Sequence, residues 1–133
     1  MKKIKKMNGD EGLKIDSVTG AILRASFEVM NELGHGFQEA LYQRALSVEL
    51  MDAGLTVQRE VQFPVLYKGN PIGKFIADFV VEDSVIVELK ALDGPLQPTH
   101  FGQCLNYMRV SNLNAGLLIN FGRPKLEYRR LNR

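Results

Sequence analysis

The chain has 133 residues, enough for one domain with a real core. Its 45% hydrophobic and 24% charged content is that of an ordinary globular protein, and no apolar run approaches the roughly 20 residues of a membrane span. A net charge of +2 neither demands nor excludes a polyanionic partner, while the single cysteine, Cys104, rules out an intrachain disulfide and argues against a cysteine-based zinc site.

Residues 1–14 read as a flexible basic tail, opened by Lys2, Lys3, Lys5 and Lys6, and residues 15–133 as one domain. The stretch from Asn8 to Asp16 is polar and supplies no apolar signal core, so a cytoplasmic location is expected. Asp16 or Ser17 can cap a first helix that runs to about Leu33 on a stripe of Val18, Ile22, Ala25 and Val29, widened by Phe27, Met30 and Leu33. Gly34-His35-Gly36 breaks it. A second helix is predicted from about Phe37 to Asp52, with Leu41, Ala45 and Val48 facing inward and Ala53-Gly54 as its stop.

The period then changes. Thr56 to Tyr67 reads as a strand, and Pro64 marks it as an edge or bulged strand. Lys68-Gly69-Asn70 is a hairpin turn. Ile72 to Val81 and Val85 to Leu92 are the next two strands, followed by a loop at Asp93-Gly94-Pro95. A third helix spans about Thr99 to Val110, with Phe101, Leu105 and Met108 expected on the sheet. Gly116 to Asn120 and about Leu126 to Leu131 complete the set. The order ααβββαβ(β) implies an α/β sandwich with a mixed sheet, the third helix crossing over to a parallel strand.

The chemistry concentrates in the two middle strands. Asp78 lies within Phe75-Ile76-Ala77-Asp78-Phe79-Val80-Val81, and Glu88-Leu89-Lys90 follows Val85-Ile86-Val87. Charges inside such runs cost burial energy unless they are paired or bind a metal. By period-2 geometry Glu88 and Lys90 share a face, and Asp78 shares one with Ile76 and Val80. A three-residue turn at Glu82 to Ser84 sets Asp78 opposite Glu88. Two carboxylates about 4 Å apart repel by roughly 4 kcal/mol at an effective dielectric of about 20. A divalent cation removes that repulsion, and oxygen donors suit Mg²⁺ or Mn²⁺.

This Asp…Glu-x-Lys arrangement resembles the PD-(D/E)XK nuclease superfamily. Gln103-Cys104-Leu105-Asn106-Tyr107 has the Gln-x-x-x-Tyr spacing of its RecB-like branch. The segment Gly34-His35-Gly36-Phe37-Gln38-Glu39-Ala40-Leu41-Tyr42 is similar to the start of the small proteins labelled GxxExxxR, with Gly36 and Glu39 matching and Gln43 standing at the Arg position. The resemblance covers about residues 16 to 130. It implies a restriction-endonuclease-like α/β/α sandwich and a metal-dependent nuclease acting on nucleic acid, DNA before RNA. It implies Asp78, Glu88, the Leu89 carbonyl and Glu39 as metal ligands. Lys90 is then the residue that positions or deprotonates the water, and Gln103 and Tyr107 contact the substrate phosphate or Lys90.

Each assignment has a plainer competitor. The acids can be solvated on a surface hairpin, and Lys90 can be a salt-bridge partner of Glu88 or Asp93. Glu39 can simply favour the start of its helix through the dipole. Gln103 and Tyr107 can be a polar stripe tying helix to sheet, and His100 reads as a surface histidine. Gly34 and Gly36 follow a helix and lack the later glycine of a nucleotide loop. The alternative function is a non-catalytic module that binds nucleic acid or protein on the same fold. A homodimer is the expected assembly, closed two-fold pairs being the commonest oligomers.

Overall fold

The computed structural model describes residues 9–133; the Lys2–Lys6 part of the expected tail lies outside the described residues. Eight elements follow one another: α1 (Gly9–Leu33), α2 (Glu39–Asp52), β1 (Val57–Tyr67), β2 (Asn70–Val81), β3 (Val85–Lys90), α3 (Pro98–Ser111), β4 (Ala115–Asn120) and β5 (Glu127–Asn132). The five strands form one mixed sheet in sequence order, antiparallel except for β3 and β4. Strand β1 is at an edge, as Pro64 requires.

The sheet separates two apolar clusters. On one side, Val18, Ile22 and Val29 of α1 and Tyr42, Leu46 and Leu50 of α2 pack on Phe79, Val81, Val87, Leu117 and Ile119. On the other, Cys104 and Met108 of α3 pack on Phe75, Ala77 and Ile86. The result is the expected α/β/α sandwich. Gly116 lets α3 lie this close, because a Cβ there would stand 2.8 Å from Met108 Sδ and 3.3 Å from Cys104 Sγ.

Three expectations are corrected. Helix α1 is already formed at Gly9, the first described residue, ahead of the expected cap at Asp16 and within the stretch expected to be a flexible tail; Ile15 is buried, while Phe27 and Leu33 stay exposed. Helix α2 is rotated from its predicted phase. Leu41 and Val48 are exposed, and the buried stripe is Tyr42, Leu46 and Leu50, spaced four apart. Both stripes satisfy helical spacing, but the second hides the larger Tyr42 ring and two leucines worth about 1.5–3 kcal/mol each on full burial. On α3, Leu105 is exposed, and Cys104 and Met108 take the core face.

Candidate active site

The turn Glu82-Asp83-Ser84 sets the register of β2 on β3, Val81 against Val85, Val80 against Ile86 and Phe79 against Val87. Glu82 and Asp83 both take positive φ to close this turn, and the Glu82 carboxylate accepts from Thr56 N–H at 2.8 Å. Continued by one residue, the register would oppose Asp78 to Glu88. The ladder stops there instead. Beyond Phe79, β2 pairs only with β1, and Glu88, Leu89 and Lys90 pair only with Leu118, Ile119 and Asn120 of β4. The sheet forks, and Asp78 sits in the fork.

Backbone geometry explains the position. Asp78 also lacks a partner on β1, where Arg59 pairs with Phe79 and Val61 with Ala77, and Glu60 between them has φ 51°. Ala77 consequently packs with α3, and Phe79, two residues on, with α1 and α2. The expectation that Asp78 shares a plain face with Ile76 and Val80 is thus corrected: Ile76 is exposed and Val80 buried, because the period breaks at Asp78 itself. Freed from the ladder, the Asp78 carboxylate replaces it. Oδ2 accepts the Leu89 N–H at 2.8 Å, and Oδ1 accepts from Gln43 Nε2 at 3.0 Å.

Glu88 lies alongside with only 8% of its surface exposed, and its Oε1 is buried without a hydrogen-bond partner. Burial, then the Asp78 charge, pushes its pKa up to about 8, against the opposing pull of Lys90 and the Asp78 backbone N–H. Asp78 is raised too, chiefly by burial, with its bonds to Leu89 and Gln43 restraining the shift. Glu39, in the first turn of α2, belongs to the same group of charges. Partial burial and then the Asp78 charge raise its pKa, and Lys90 lowers it. Its side chain is exposed by surface area, so it reaches these charges from the rim, and no hydrogen bond ties it to Asp78 or Glu88.

Lys90 contributes its charge to Glu39, Asp78 and Glu88 and yet forms no ion pair among the described residues, where the salt bridge is Arg123 to Glu127 at 3.7 Å. The structure therefore removes the salt-bridge reading of Lys90. Tyr107 stacks on Phe75 with ring centroids 4.0 Å apart, and Phe75 in turn stacks on Phe63. Burial and the nearby Glu88 charge raise the Tyr107 pKa. Gln103 is exposed on α3, and its side chain makes no hydrogen bond among the described residues. His100 closes a capping box at the start of α3, its Nδ1 accepting the Gln97 N–H at 2.8 Å. Glu88, Leu118 and Arg129 line up across three strands, and the Arg129 guanidinium lies over the Phe101 ring, 4.7 Å from its centroid.

Two residues of this region have contacts that the sequence does not show: Gln43, noted there only as standing at an Arg position, and Asn120. Gln43 came into the site with the true phase of α2: Glu39 and Gln43, four apart, flank the Tyr42–Leu46–Leu50 stripe. Asn120 is fully buried opposite Lys90. Its Oδ1 accepts Leu92 N–H at 2.9 Å and Gly122 N–H at 3.0 Å, and its Nδ2 donates to Gly94 O and Glu127 Oε1, both at 3.1 Å. Glu127 also accepts Leu96 N–H at 3.0 Å. This network fixes the chain that leaves Lys90.

A family model of the PD-(D/E)XK nuclease superfamily matches residues 16–131. The chain belongs to that superfamily. Among solved structures, the crystal structure of SSO0001 is similar at a TM-score of 0.55 and 20% identity, over 71% of this chain and 49% of that one, a likeness of fold. The chain thus spans about half the length of that structure. No curated protein matches it.

A superfamily of this kind typically uses divalent metals, and the donor set can be tested against that. Asp78 and Glu88 offer hard oxygen donors, and the orphaned Glu88 Oε1 is a buried lone-pair site that a cation would satisfy. Among the described residues, no three His, Cys, Asp or Glu side chains gather closely enough to hold an ion by themselves. The pair Asp78–Glu88 is therefore the candidate for such a site, with Glu39 electrostatically linked to it.

Proposed function

We propose that the protein is a Mg²⁺- or Mn²⁺-dependent phosphodiester hydrolase acting on nucleic acid, with DNA as the first substrate to try. The observation that carries this reading is the buried, partnerless Glu88 Oε1 beside Asp78, two residues from the unpaired Lys90. Asp78 and Glu88 would hold the cation, with the Leu89 carbonyl as a backbone donor and Glu39 adding negative charge from the rim. The cation, when bound, polarises the scissile phosphate and lowers the pKa of the attacking water.

The chain's own residues do the rest. Asp78 enters fixed, because each of its oxygens already accepts one hydrogen bond. Lys90 Nζ has no partner to leave, so it is free to orient the water and to offset charge growing on the phosphate. Tyr107, held flat on Phe75, borders the site near Glu88, and exposed Gln103 stands one turn before it on α3 as a contact for the phosphate backbone. Arg129 and Arg130 on β5 supply positive charge for a polyanion beyond the scissile group.

The competing reading, a binding module without catalysis, draws on the lack of a third converging carboxylate. Incubating the protein with a panel of single-stranded, duplex and branched DNA and RNA separates the two. Cleavage in Mg²⁺ or Mn²⁺ that EDTA abolishes supports the hydrolase; salt-sensitive binding with no cleavage in either metal supports the module. For cleavage of both strands of a duplex we propose a two-fold dimer, which light scattering on the free and DNA-bound protein tests. Among the described residues no helix is long and apolar enough to cross a membrane.

A further inference from the structure

One of the two hydrogen bonds that fix Asp78 in this mechanism comes from a side chain, that of Gln43 on α2. Its exposure is 9%, and its Nε2 meets Asp78 Oδ1 at 3.0 Å, 35 residues away in sequence. The platform beneath it is rigid. Its neighbour Tyr42 is fully buried, stacks on Phe121 with centroids 4.7 Å apart, and donates to Gly34 O at 2.6 Å. Leu46 and Leu50 anchor the next two turns. Leu89 N–H holds the other Asp78 oxygen from β3. Two donors on two different elements therefore fix the plane of one carboxylate.

Both donors are neutral. A carboxylate that must be fixed and also remain attractive to a cation needs donors of this kind. A guanidinium or ammonium at the Gln43 position would compete for the same charge, while an amide orients the oxygen and leaves its charge in place. Arg44, the nearest cation on α2, is exposed. From these contacts we infer that Gln43 is a positioning residue: it sets the Asp78 carboxylate for a divalent cation without neutralising it. The inference rests on the proposed metal site and deepens it.

A plainer role would be to tie α2 to the sheet, and metal affinity tells the two apart. Mn²⁺ is titrated calorimetrically into the wild type, Gln43→Met and Gln43→Arg, with melting curves of the metal-free proteins alongside. Gln43→Met keeps the length of the side chain and removes the donor. It should weaken Mn²⁺ binding by about 10–100-fold, the usual penalty for losing a group that orients a metal ligand. Gln43→Arg keeps a donor and adds charge. It should melt higher than the wild type without metal and bind Mn²⁺ more weakly. If Gln43→Met fails to fold, Gln43→Arg decides alone. Wild-type Mn²⁺ affinity in whichever variant folds overturns the positioning role and leaves the metal site standing. A wild type that takes up no Mn²⁺ removes the metal site and the inference with it.

Discussion

Two polar clusters sit side by side at the same end of the sheet, and they have opposite characters. Around Asn120, every polar group has a partner: its amide oxygen takes two backbone N–H groups, its nitrogen serves Gly94 and Glu127, and Glu127 takes Leu96 N–H. One strand over, in register, Lys90 has no ion pair among the described residues, Glu88 has an orphaned oxygen, and Glu39, Asp78 and Glu88 all have raised pKa values. A saturated network adds stability and offers nothing to a ligand. An unsaturated one costs stability and holds attraction in reserve. The pairing of Lys90 with Asn120 joins the two, so that the first holds the second in shape.

The comparison can be broken at four points. The largest effect is expected at Lys90. Lys90→Ala should lower cleavage by about 10²–10⁴-fold, the range of a positioned proton-transfer group, while still folding and melting somewhat below the wild type, since its charge no longer offsets those of Glu39, Asp78 and Glu88. Cleavage at the wild-type rate would make the lysine an onlooker.

Asn120→Ala should do the reverse. It strands Leu92 N–H, Gly122 N–H and the Gly94 carbonyl inside the protein, each worth about 1–3 kcal/mol, and a loss on the order of 3–5 kcal/mol is expected in denaturant titrations. A loss below about 1 kcal/mol would mean that water replaces the network.

Glu88→Gln should stabilise the metal-free protein. The folded pKa of Glu88, about 8, stands above the ordinary 4.5. Between those values the folded state keeps a proton that the unfolded chain has released. Stability from that proton is complete below about pH 4.5 and is lost as pH rises through 8. Asp78 and Glu39, also raised, act in the same direction. The wild type should therefore melt lower at pH 8 than at pH 5. Glu88→Gln should flatten that slope and gain on the order of 2–3 kcal/mol at pH 8. Parallel curves for the two proteins would contradict the assigned burial of Glu88.

The smallest effect belongs to Glu39. If it only favours the start of α2, Glu39→Gln should cost no more than about 1 kcal/mol and leave Mn²⁺ affinity untouched. As a charge of the site, its loss should weaken Mn²⁺ binding with little change in melting. Titration calorimetry reads one and thermal melting the other.

What the sequence revealed follows from how local each signal is. Asp78, Glu88 and Lys90 stand out as candidates because charges inside Val- and Ile-rich strands conflict with their neighbours. The turn at Glu82–Ser84 gave the correct register for the same local reason. The phase of α2 was not legible, since Leu41/Ala45/Val48 and Tyr42/Leu46/Leu50 both fit a helix and only packing against Phe121 and the sheet decides between them. The contact of Gln43 with Asp78 was hidden with that phase. The fork was hidden because period-2 reasoning assumes an unbroken ladder, and the break depends on Glu60 of another strand. Asn120 ends an apolar run and looks like a strand terminus; its role depends on Glu127 and a loop that returns from β3. His100 was read as a surface histidine and is a helix cap, a use its sequence context does not advertise.

The bonds that hold Asp78 also give the protein a clean control for its own chemistry. Asparagine has the same shape as aspartate and one charge fewer. At position 78 its oxygen can still receive the Leu89 N–H, while its nitrogen would face the nitrogen of Gln43. An amide can turn over, and a turned Gln43 presents its oxygen and restores the bond. Asp78→Asn should thus preserve both contacts at the fork and remove only the anion. Cleavage lost in Asp78→Asn while the protein melts no lower than the wild type would report a lost charge and not a broken scaffold.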